Sequence, residues 1–324
     1  MMKFTLLAGA VFGAALLAGC GDKGGNTASN PESPKGAPVT GKTFTIGMSQ
    51  CNLAEPYRAQ MDKDLAEAAK AHPELKIVFK DAQNDSLKQR GQVEEFVQDK
   101  VDLIIISPKE SQPLTDPVAK AMDAGIPVIV LDRSVLGDKY TTFIGADNKK
   151  IGLALGKWLV ERTNGTGNVV ELKGLMTSPP AQDRHQGFMD GIKGSSLNVV
   201  FDADTKWLEA NARKEMESAM ARVPKIDVVY GHNDPAAHGA YLAADAAGRA
   251  KGTIFVGVDA LPQEGRAYVE QGILEASFQY PTGGKEAIEA AMKILKGETV
   301  EKKMVLSSKY FTKDNVKSGG ADIQ

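Results

Sequence analysis

The chain has 324 residues, of which 42% are hydrophobic and 25% charged, and its formal net charge at pH 7 is −2. This length allows two domains of ordinary size, and two cysteines are too few for a disulfide framework or a thiolate metal cluster. The weak negative charge and the absence of a basic block argue against nucleic acid or an anionic membrane surface as a partner.

The first element, residues 1–19, is predicted to be a lipoprotein signal peptide. Lys3 supplies a positive charge, and the apolar run Phe4–Leu16 is too short to span a membrane as a mature helix. The run leads into Leu17-Ala18-Gly19-Cys20, which resembles the lipobox of bacterial lipoproteins, in which the cysteine is lipidated. We therefore expect export to the periplasm or cell surface and membrane anchoring through lipidated Cys20. The alternative is an ordinary secretory signal that is cut nearby.

Residues 20–42 are rich in Gly, Asn, Ser, Thr and Pro, and this composition predicts a flexible tether. Beyond the tether, ten short apolar runs end in polar or charged residues. Most of them are separated by stretches with the spacing of an amphipathic helix. Strands that alternate with helices predict parallel sheets buried on both faces.

The predicted strands are Thr45–Gln50, Lys76–Asp81, Leu103–Pro108, Pro127–Arg133, Thr141–Asn148, Asn168–Gly174, Leu197–Asp204, Asp227–Asp234, Thr253–Ala260 and Ile273–Tyr280. The predicted helices are Pro56–His72, Leu87–Lys100, Gln112–Ala124, Lys149–Thr163, Ala181–Lys193, Leu208–Arg222, Pro235–Ala247, Pro262–Gln271 and Gly283–Leu295. A short strand around Val305 follows the last helix. The order of strands and helices predicts an α/β protein with two doubly wound Rossmann-like lobes. The chain is expected to cross between the lobes more than once. A single sheet of ten strands is the alternative, although twisted open sheets rarely exceed about ten strands.

Polar residues close several of these strands, and ligands bind beyond the carboxyl ends of the strands in such sheets. The candidate residues at strand ends and in the adjoining turns are Ser49, Tyr57, Arg58, Asp132, Arg133, Trp207, Asn233, Asp259 and Gln279. Arginines and carboxylates offer planar donors and acceptors that suit the vicinal hydroxyls of a sugar or polyol. Aromatic faces stack on the C–H surfaces of such a ring. The residue types therefore predict a site that recognises hydroxyl groups.

Eight short segments in a fixed order connect the chain with one protein family. They are Ile46-Gly47-Met48-Ser49, Ile106-Ser107-Pro108, 126–133, 145–148, Gly187-Phe188, His232-Asn233-Asp234, 256–259 and Gln279. In this order they resemble the type I periplasmic sugar-binding proteins of the ribose/galactose-binding family, the solute receptors of ABC importers. The resemblance covers nearly the whole body, from Thr43 to about Tyr310.

The resemblance implies roles for individual residues. Sugar contacts are implied for Ser49, Asp132, Arg133, Asn233, Asp259 and Gln279. Tyr57 and Trp207 match the aromatic residues of the two lobes, and Arg58 matches an arginine of the galactofuranose-binding branch, which favours that branch over ribose. For the arginine of the second lobe, Gln182 occupies the ribose-type position and Arg184 follows two residues later. Arg184 is the candidate, and which of the two faces the ligand stays open.

The resemblance also implies a multi-strand hinge. The hinge candidates are Asp147, Asn148 and Tyr280. The lobes then comprise 43–146 plus 280–308 for the N-terminal lobe, and 147–279 plus 309–324 for the C-terminal lobe.

Several candidates have simpler structural interpretations. One of Asn233 and Asp234 is expected to cap the helix that follows, since Pro235 comes next. We expect the cap at Asp234 and the ligand contact at Asn233. Arg184 has acidic neighbours on its own helix, Asp183 and Asp190, with which it could pair.

The sequence therefore predicts a monomeric receptor that closes on a sugar or polyol and delivers it to an ABC permease of the inner membrane. A sensory receptor that serves a chemoreceptor or sensor kinase is the first alternative. A sugar-modifying enzyme is less favoured, because residues 47–52 do not form the Gly-x-Gly-x-x-Gly pattern and no Walker loop or Gly-x-Ser-x-Gly elbow occurs. A regulator of the lactose-repressor type would need a helix-turn-helix where the export signal lies. No cofactor, no metal and no catalytic residue are expected.

Overall fold

Two mostly parallel sheets with helices on both faces make up the computed structural model, which describes residues 41–323. The predicted signal peptide, Cys20 and nearly all of the predicted tether lie outside the described residues.

The strands and helices occur at nearly all predicted places. The strands are β1 (Phe44–Gln50), β2 (Leu75–Asp81), β3 (Leu103–Ser107), β4 (Val128–Leu131), β5 (Thr142–Ala146), β6 (Thr166–Lys173), β7 (Ser196–Asp204), β8 (Val228–Gly231), β9 (Ile254–Asp259), β10 (Ala276–Gln279), β11 (Lys303–Leu306), β12 (Lys309–Thr312) and β13 (Ala321–Asp322). The helices are α1 (Pro56–Ala69), α2 (Ser86–Gln98), α3 (Ser111–Asp123), α4 (Asn148–Arg162), α5 (Pro179–Ile192), α6 (Glu209–Arg222), α7 (Asp234–Ala246), α8 (Gly265–Gln271) and α9 (Gly284–Leu295).

The strand order is that of two separate doubly wound sheets, which confirms the predicted α/β architecture over a single ten-stranded sheet. The first sheet has the order β11-β5-β4-β3-β1-β2 and is parallel throughout. The second has the order β13-β12-β10-β9-β8-β6-β7, in which β12 runs antiparallel to β10 and to β13. The chain therefore crosses between the sheets three times: after β5, after β10 and between β11 and β12.

Alternation along the strands places apolar side chains on both faces of each sheet. In β3, Ile105 packs into one hydrophobic cluster, while Ile104 and Ile106 pack into another on the opposite face. This two-sided burial explains why the strands are nearly continuous apolar runs. Within the described part, no helix combines the length and the apolar composition that a bilayer crossing requires.

Two departures from the predicted elements have local causes. Helix α8 begins at Gly265, later than predicted, because residues 262–264 form a turn and Glu264, at the N-cap, has the non-helical angles φ −128° and ψ −101°. Strands β12 and β13 were not predicted. They are short, and in β12 only Phe311 is fully buried, so neither has the apolar run that marks the parallel strands.

Candidate functional site

Residues that follow strands of both sheets meet at one cleft. The lining residues are Glu55, Tyr57, Arg58, Asp132, Arg133, Pro180, Arg184, Trp207, Asn233 and Asp259. Eight of the ten predicted contact residues are among them. The two that the structure does not bring to the cleft are Ser49 and Gln279.

On the side of the first sheet, a buried ion pair joins Arg58 on α1 to Asp132, which follows β4. Arg58 Nη1 donates hydrogen bonds to the Asp132 carboxylate and, at 2.9 Å, to Ser107 Oγ. Burial alone would lower the pKa of Arg58, but the Asp132 carboxylate raises it, so the guanidinium stays charged. Asp132 has φ of 67°, a left-handed conformation that costs a residue with a Cβ free energy and that concentrates at functional sites.

Glu55 is a lining residue that the sequence analysis missed. Its Oε2 lies 3.4 Å from Arg58 Nε and 3.6 Å from Arg133 Nη2, so it faces two arginines. Asn52 fixes it by donating from Nδ2 to Oε1 at 2.7 Å. Glu55 precedes a helix rather than closing a strand, which is why a search of strand ends passes over it. Its place directly before the helix that carries Tyr57 and Arg58 is the signal that could have found it.

On the side of the second sheet, the structure brings Arg184 to the cleft and leaves Gln182 outside. Arg184 Nε donates to Asn148 Oδ1 at 2.8 Å, Nη1 donates to the carbonyl oxygen of His232, and Nη2 lies 3.5 Å from Asp259 Oδ1. Gln182 is exposed, and its amide donates to the carbonyl oxygen of Met176. The pairing of Arg184 with acidic residues of its own helix does not occur. Asp190 instead pairs with Lys149, at 3.0 Å.

Asp259 ends β9 with φ of 115°, and its carboxylate is buried against the cleft. Burial raises its pKa to about 7, although the charges of Arg184 and Arg58 oppose the rise. Directly behind it, the fully buried Asp234 accepts hydrogen bonds from the Ala260 N–H at 2.7 Å and from Ser277 Oγ at 2.6 Å. These bonds fix the turn in which Asp259 lies.

The prediction that Asp234 caps α7 is wrong, because Asn233 is the cap. Asn233 has the extended backbone of an N-cap residue, and its Oδ1 accepts from the Ala236 N–H at 3.1 Å. Its Nδ2 donates to the Trp207 carbonyl oxygen at 3.0 Å. The side chain of Asn233 thus both caps the helix and supports the loop of Trp207 at the edge of the cleft.

Trp207 presents its indole to the cleft beside two cations. The guanidinium carbons of Arg133 and Arg184 lie 5.6 and 5.4 Å from the ring centroid, within cation–π range. The ring packs directly on Gly174, where a Cβ would come within 2.3 Å of it. Trp207 Nε1 is buried and has no hydrogen-bond partner among residues 41–323.

The two predicted residues outside the cleft point elsewhere. Ser49 is fully buried, and its Oγ donates to Gln92 Oε1 on α2 at 2.8 Å. Gln279 is half-buried in a neighbouring groove that Gln60 and Asp64 of α1 also line.

The three predicted hinge residues lie at two of the crossings between the sheets. Asp147 caps α4 by accepting from the Lys150 N–H at 2.9 Å, and Asn148 accepts from Arg184. The Tyr280 hydroxyl donates to the Asp132 carbonyl oxygen at 3.1 Å and accepts from the Ala146 N–H at 3.2 Å. Their role in a hinge stays a prediction.

A buried carboxylate lies behind Trp207 and holds two histidines. Glu171 on β6 accepts from His185 Nδ1 and from His232 Nε2, both at 2.9 Å. Burial alone would raise the pKa of Glu171, but these hydrogen bonds outweigh burial and lower it to about 2. Among residues 41–323, no three His, Cys, Asp or Glu side chains are placed to hold a metal ion.

Because the folded-state pKa of Glu171 is depressed, its contribution to stability is complete above the ordinary pKa of 4.5 and is lost as the pH falls toward 2. We expect Glu171→Gln to lower the free energy of unfolding at pH 7 by about 3 kcal/mol and to flatten its pH dependence between about 4.5 and 2. Urea unfolding at a series of pH values measures both effects. Glu217→Gln, at an exposed glutamate, is the control. It is expected to leave the free energy of unfolding and its slope against pH unchanged. Equal slopes for the Glu171 variant and the unmodified protein would contradict this prediction.

Three arginines and three carboxyl groups surround the cleft, and the carboxyl group of Asp259, with its pKa raised to about 7, is only partly ionised at neutral pH. The buried arginines and carboxylates form the pairs Arg58–Asp132, Arg133–Glu55 and Arg184–Asp259. Each group retains donor or acceptor capacity beyond its partner, because a guanidinium has five N–H donors and a carboxylate has about four lone-pair positions. The arrangement can therefore bind a neutral ligand that both donates and accepts hydrogen bonds.

Comparison with known proteins assigns most of the chain to one family. The family model of the periplasmic binding protein domain matches residues 46–299. The ribose import binding protein of Bacillus subtilis is 32% identical over 263 residues, which are 81% of this chain and 85% of that protein. The galactofuranose-binding protein of Escherichia coli is 33% identical over 276 residues, which are 82% of this chain and 86% of that protein.

Solved structures agree with these relatives. The fructose binding periplasmic domain of a hybrid two component system has a TM-score of 0.82 and 41% identity, covering 85% of this chain and 92% of that one. An ABC transporter solute binding protein from Bacillus halodurans, solved with bound myo-inositol, has a TM-score of 0.81 and 30% identity. The match covers 86% of this chain and 97% of that one. These similar proteins are binding proteins, none of them described as an enzyme.

Proposed function

We propose that this chain, which belongs to the type I periplasmic sugar-binding proteins, captures an uncharged sugar or polyol in the cleft and delivers it to an ABC importer. The observation that carries the proposal is the set of three buried arginine–carboxylate pairs around one cavity, with the Trp207 ring beside them.

Buried ion pairs of this kind do little for stability, because desolvation of both charges offsets their attraction. Three of them at one cavity are better explained by recognition. A sugar hydroxyl can donate to a carboxylate and accept from an arginine at once, so a ring with several hydroxyls satisfies many of these groups. An analogue that lacks one hydroxyl leaves a buried charged group unpaired and is rejected strongly. An anionic ligand would lie against the carboxylates of Asp132 and Glu55, whose arginine partners are already paired.

The proposed ligand contacts are Tyr57, Arg58, Asp132, Arg133, Arg184, Trp207, Asn233 and Asp259, with Glu55 added. Ser49 and Gln279, which lie outside the cleft, are not in this set. Arg58 favours a galactofuranose-type ligand over ribose, as the sequence resemblance implies.

We propose that the two lobes close on the ligand about a hinge at Asp147, Asn148 and Tyr280. The lobes are 43–146 plus 280–308 and 147–279 plus 309–324. The pairing of β11 with β5 and of β12 with β10 supports this division. Ligand contacts from both lobes favour the closed state, since only such differential affinity shifts the equilibrium.

We further propose that the protein acts as an exported monomer, anchored to the membrane through lipidated Cys20 and docking on an ABC permease. The lipobox-like segment that ends at Cys20 and the membership of the periplasmic binding protein family support this location. The tether at 20–42 would let the anchored body reach the permease.

The test is a thermal-shift panel on residues 41–324, with D-fructose, D-ribose, D-galactose and myo-inositol as the neutral compounds. A compound at one hundred times its dissociation constant is expected to stabilise the folded state by about 2.7 kcal/mol. D-ribose 5-phosphate and D-galacturonate are the anionic controls and are expected to give no shift. Stabilisation by the anions alone, or by no carbohydrate or polyol, would contradict the proposal.

A sensory role is the second candidate, because the similar fructose binding domain belongs to a hybrid two component system. A sensor would use the same cleft and the same closure, and would differ only in the partner that reads the closed form. Uptake of the bound sugar by cells that lack the gene separates the two roles, since only an importer receptor is needed for uptake.

A further inference from the structure

We propose that Tyr280 is a positioning residue for ligand binding, whose hydroxyl fixes the main chain of Asp132 while its ring supports Arg184. This inference rests on the proposed function, in which both residues contact the sugar. Tyr280 would then connect one ligand-binding residue of each lobe at a point where the chain crosses between them.

The hydroxyl of Tyr280 completes the restraint on a strained residue. Asp132 has positive φ, and its N–H donates to the Ile144 carbonyl oxygen at 2.8 Å. Its own carbonyl oxygen accepts from Tyr280 at 3.1 Å. Both peptide groups of Asp132 are therefore held by hydrogen bonds. A non-glycine residue keeps such a conformation only where its surroundings enforce it.

The same hydroxyl also reaches the strand that leads to the first crossing, since it accepts from the Ala146 N–H at 3.2 Å. Burial, with the negative charge of Asp132, raises the pKa of Tyr280, so the hydroxyl keeps its proton and donates to the Asp132 carbonyl. One hydroxyl group thus joins β5, the turn after β4 and the segment after β10.

Gly145 provides a second, independent observation in favour of the contact between Tyr280 and Asp132. A Cβ at this position would lie 2.9 Å from the Tyr280 hydroxyl and 3.2 Å from the Asp132 carbonyl oxygen. Only glycine lets these two groups meet over β5 without displacement. The chain is therefore built to permit this contact.

The Tyr280 ring contacts the other side of the cleft. The guanidinium carbon of Arg184 lies 5.1 Å from the ring centroid, within cation–π range. The Tyr57 ring meets Tyr280 edge-on, with centroids 5.8 Å apart. A phenylalanine at 280 would keep these ring contacts and lose only the hydroxyl bonds.

The experiment titrates Tyr280→Phe and the unmodified protein by calorimetry with the same four neutral compounds, well below both melting temperatures. We expect the dissociation constant of each compound that binds to rise about tenfold in Tyr280→Phe, mainly through faster dissociation. Tyr230→Phe is the matched control, because the Tyr230 hydroxyl is buried and has no hydrogen-bond partner among the described residues. Its affinity is expected to stay unchanged.

A second variant tests whether Tyr280 acts through the contact over Gly145. Gly145→Ala is expected to weaken binding in the unmodified protein, because the new methyl group would meet the Phe143 ring at 2.8 Å and the Tyr280 hydroxyl at 2.9 Å. In the Tyr280→Phe background the loss is expected to be smaller, because the hydroxyl is absent and only the contacts with Phe143 and the Asp132 carbonyl remain. Unchanged affinity in Tyr280→Phe, or additive losses in the double variant, would overturn the positioning role. Absence of binding by the unmodified protein would instead overturn the proposed function and, with it, this inference.

Discussion

Asp132→Ala is expected to abolish sugar binding, with the dissociation constant rising at least about a hundredfold. Removal of one partner of a buried ion pair costs about 3–5 kcal/mol, because the other charge stays buried without compensation. Here that charge is Arg58, which is 3% exposed and would keep only the longer contact with Glu55, 3.4 Å from its Nε, a carboxylate that Arg133 also faces. In the proposed open state water would reach Arg58, so the penalty is expected to fall mainly on the closed cleft. The variant also loses the carboxylate that would accept a sugar hydroxyl.

Calorimetric titration of Asp132→Ala with the compound that gives the largest thermal shift measures this effect. Lys109→Ala is the control. The Lys109 carbonyl oxygen accepts from Arg133 Nη1 at 3.1 Å, and alanine keeps that carbonyl. The Lys109 side chain pairs instead with Glu110, at 3.6 Å, and does not line the cleft. Weak binding by Lys109→Ala together with unchanged binding by Asp132→Ala would show that the ligand does not bind in this cleft.

Most of the fold could be predicted from the sequence because parallel strands buried on both faces are continuous apolar runs. The run Leu103–Ser107 is wholly buried and leaves little ambiguity. The antiparallel strands β12 and β13 could not be predicted, since their residues are only partly buried and their pairing depends on partners distant in sequence. The order of strands and helices predicted more than one crossing between the lobes, and the family resemblance placed the hinge at Asp147, Asn148 and Tyr280.

The candidate site was less completely predictable. A residue at the end of a strand lies at a known edge of the sheet, but the sequence does not show to which side its side chain points. Ser49 and Asp259 both close parallel strands, yet the Ser49 hydroxyl points to α2 while Asp259 faces the cleft. Successive side chains of a strand alternate between the faces, so a shift of one residue decides which side chain reaches a ligand. Glu55 was missed for a different reason, since it lies in the turn before α1.

The choice between Gln182 and Arg184 depends on the rotation of one helix. Residues two apart on an α-helix are about 200° apart around its axis, so both cannot face the same cleft. The sequence predicts the helix but does not fix this rotation to within one residue. Packing of Gly187 of α5 on the main chain of α4 fixes it, because a Cβ there would come within 2.1 Å of the Lys149 carbonyl oxygen. Arg184, one turn earlier, consequently faces the cleft.

Arg184→Ala is therefore expected to weaken binding at least about a hundredfold, whereas Gln182→Ala is expected to leave the dissociation constant within about twofold of the unmodified value. Of the two cations that oppose the effect of burial on Asp259, Arg184 and Arg58, Arg184 has the larger effect. Its removal raises the pKa of Asp259 above about 7, so that more of the carboxyl group is protonated at neutral pH. The variant thus loses a donor and turns an acceptor into a neutral acid.

Arg184→Lys separates the charge from the geometry of this residue. A lysine can keep the positive charge near Asp259, but one ammonium group cannot reproduce the planar set of bonds to Asn148, the His232 carbonyl and Asp259. We expect its affinity to lie between those of the unmodified protein and Arg184→Ala. Calorimetry at pH 6 and 8 adds the decisive comparison. Arg184→Ala should recover part of its affinity at the higher pH, where Asp259 ionises again, and equal losses at both pH values would mean that Arg184 does not act on Asp259.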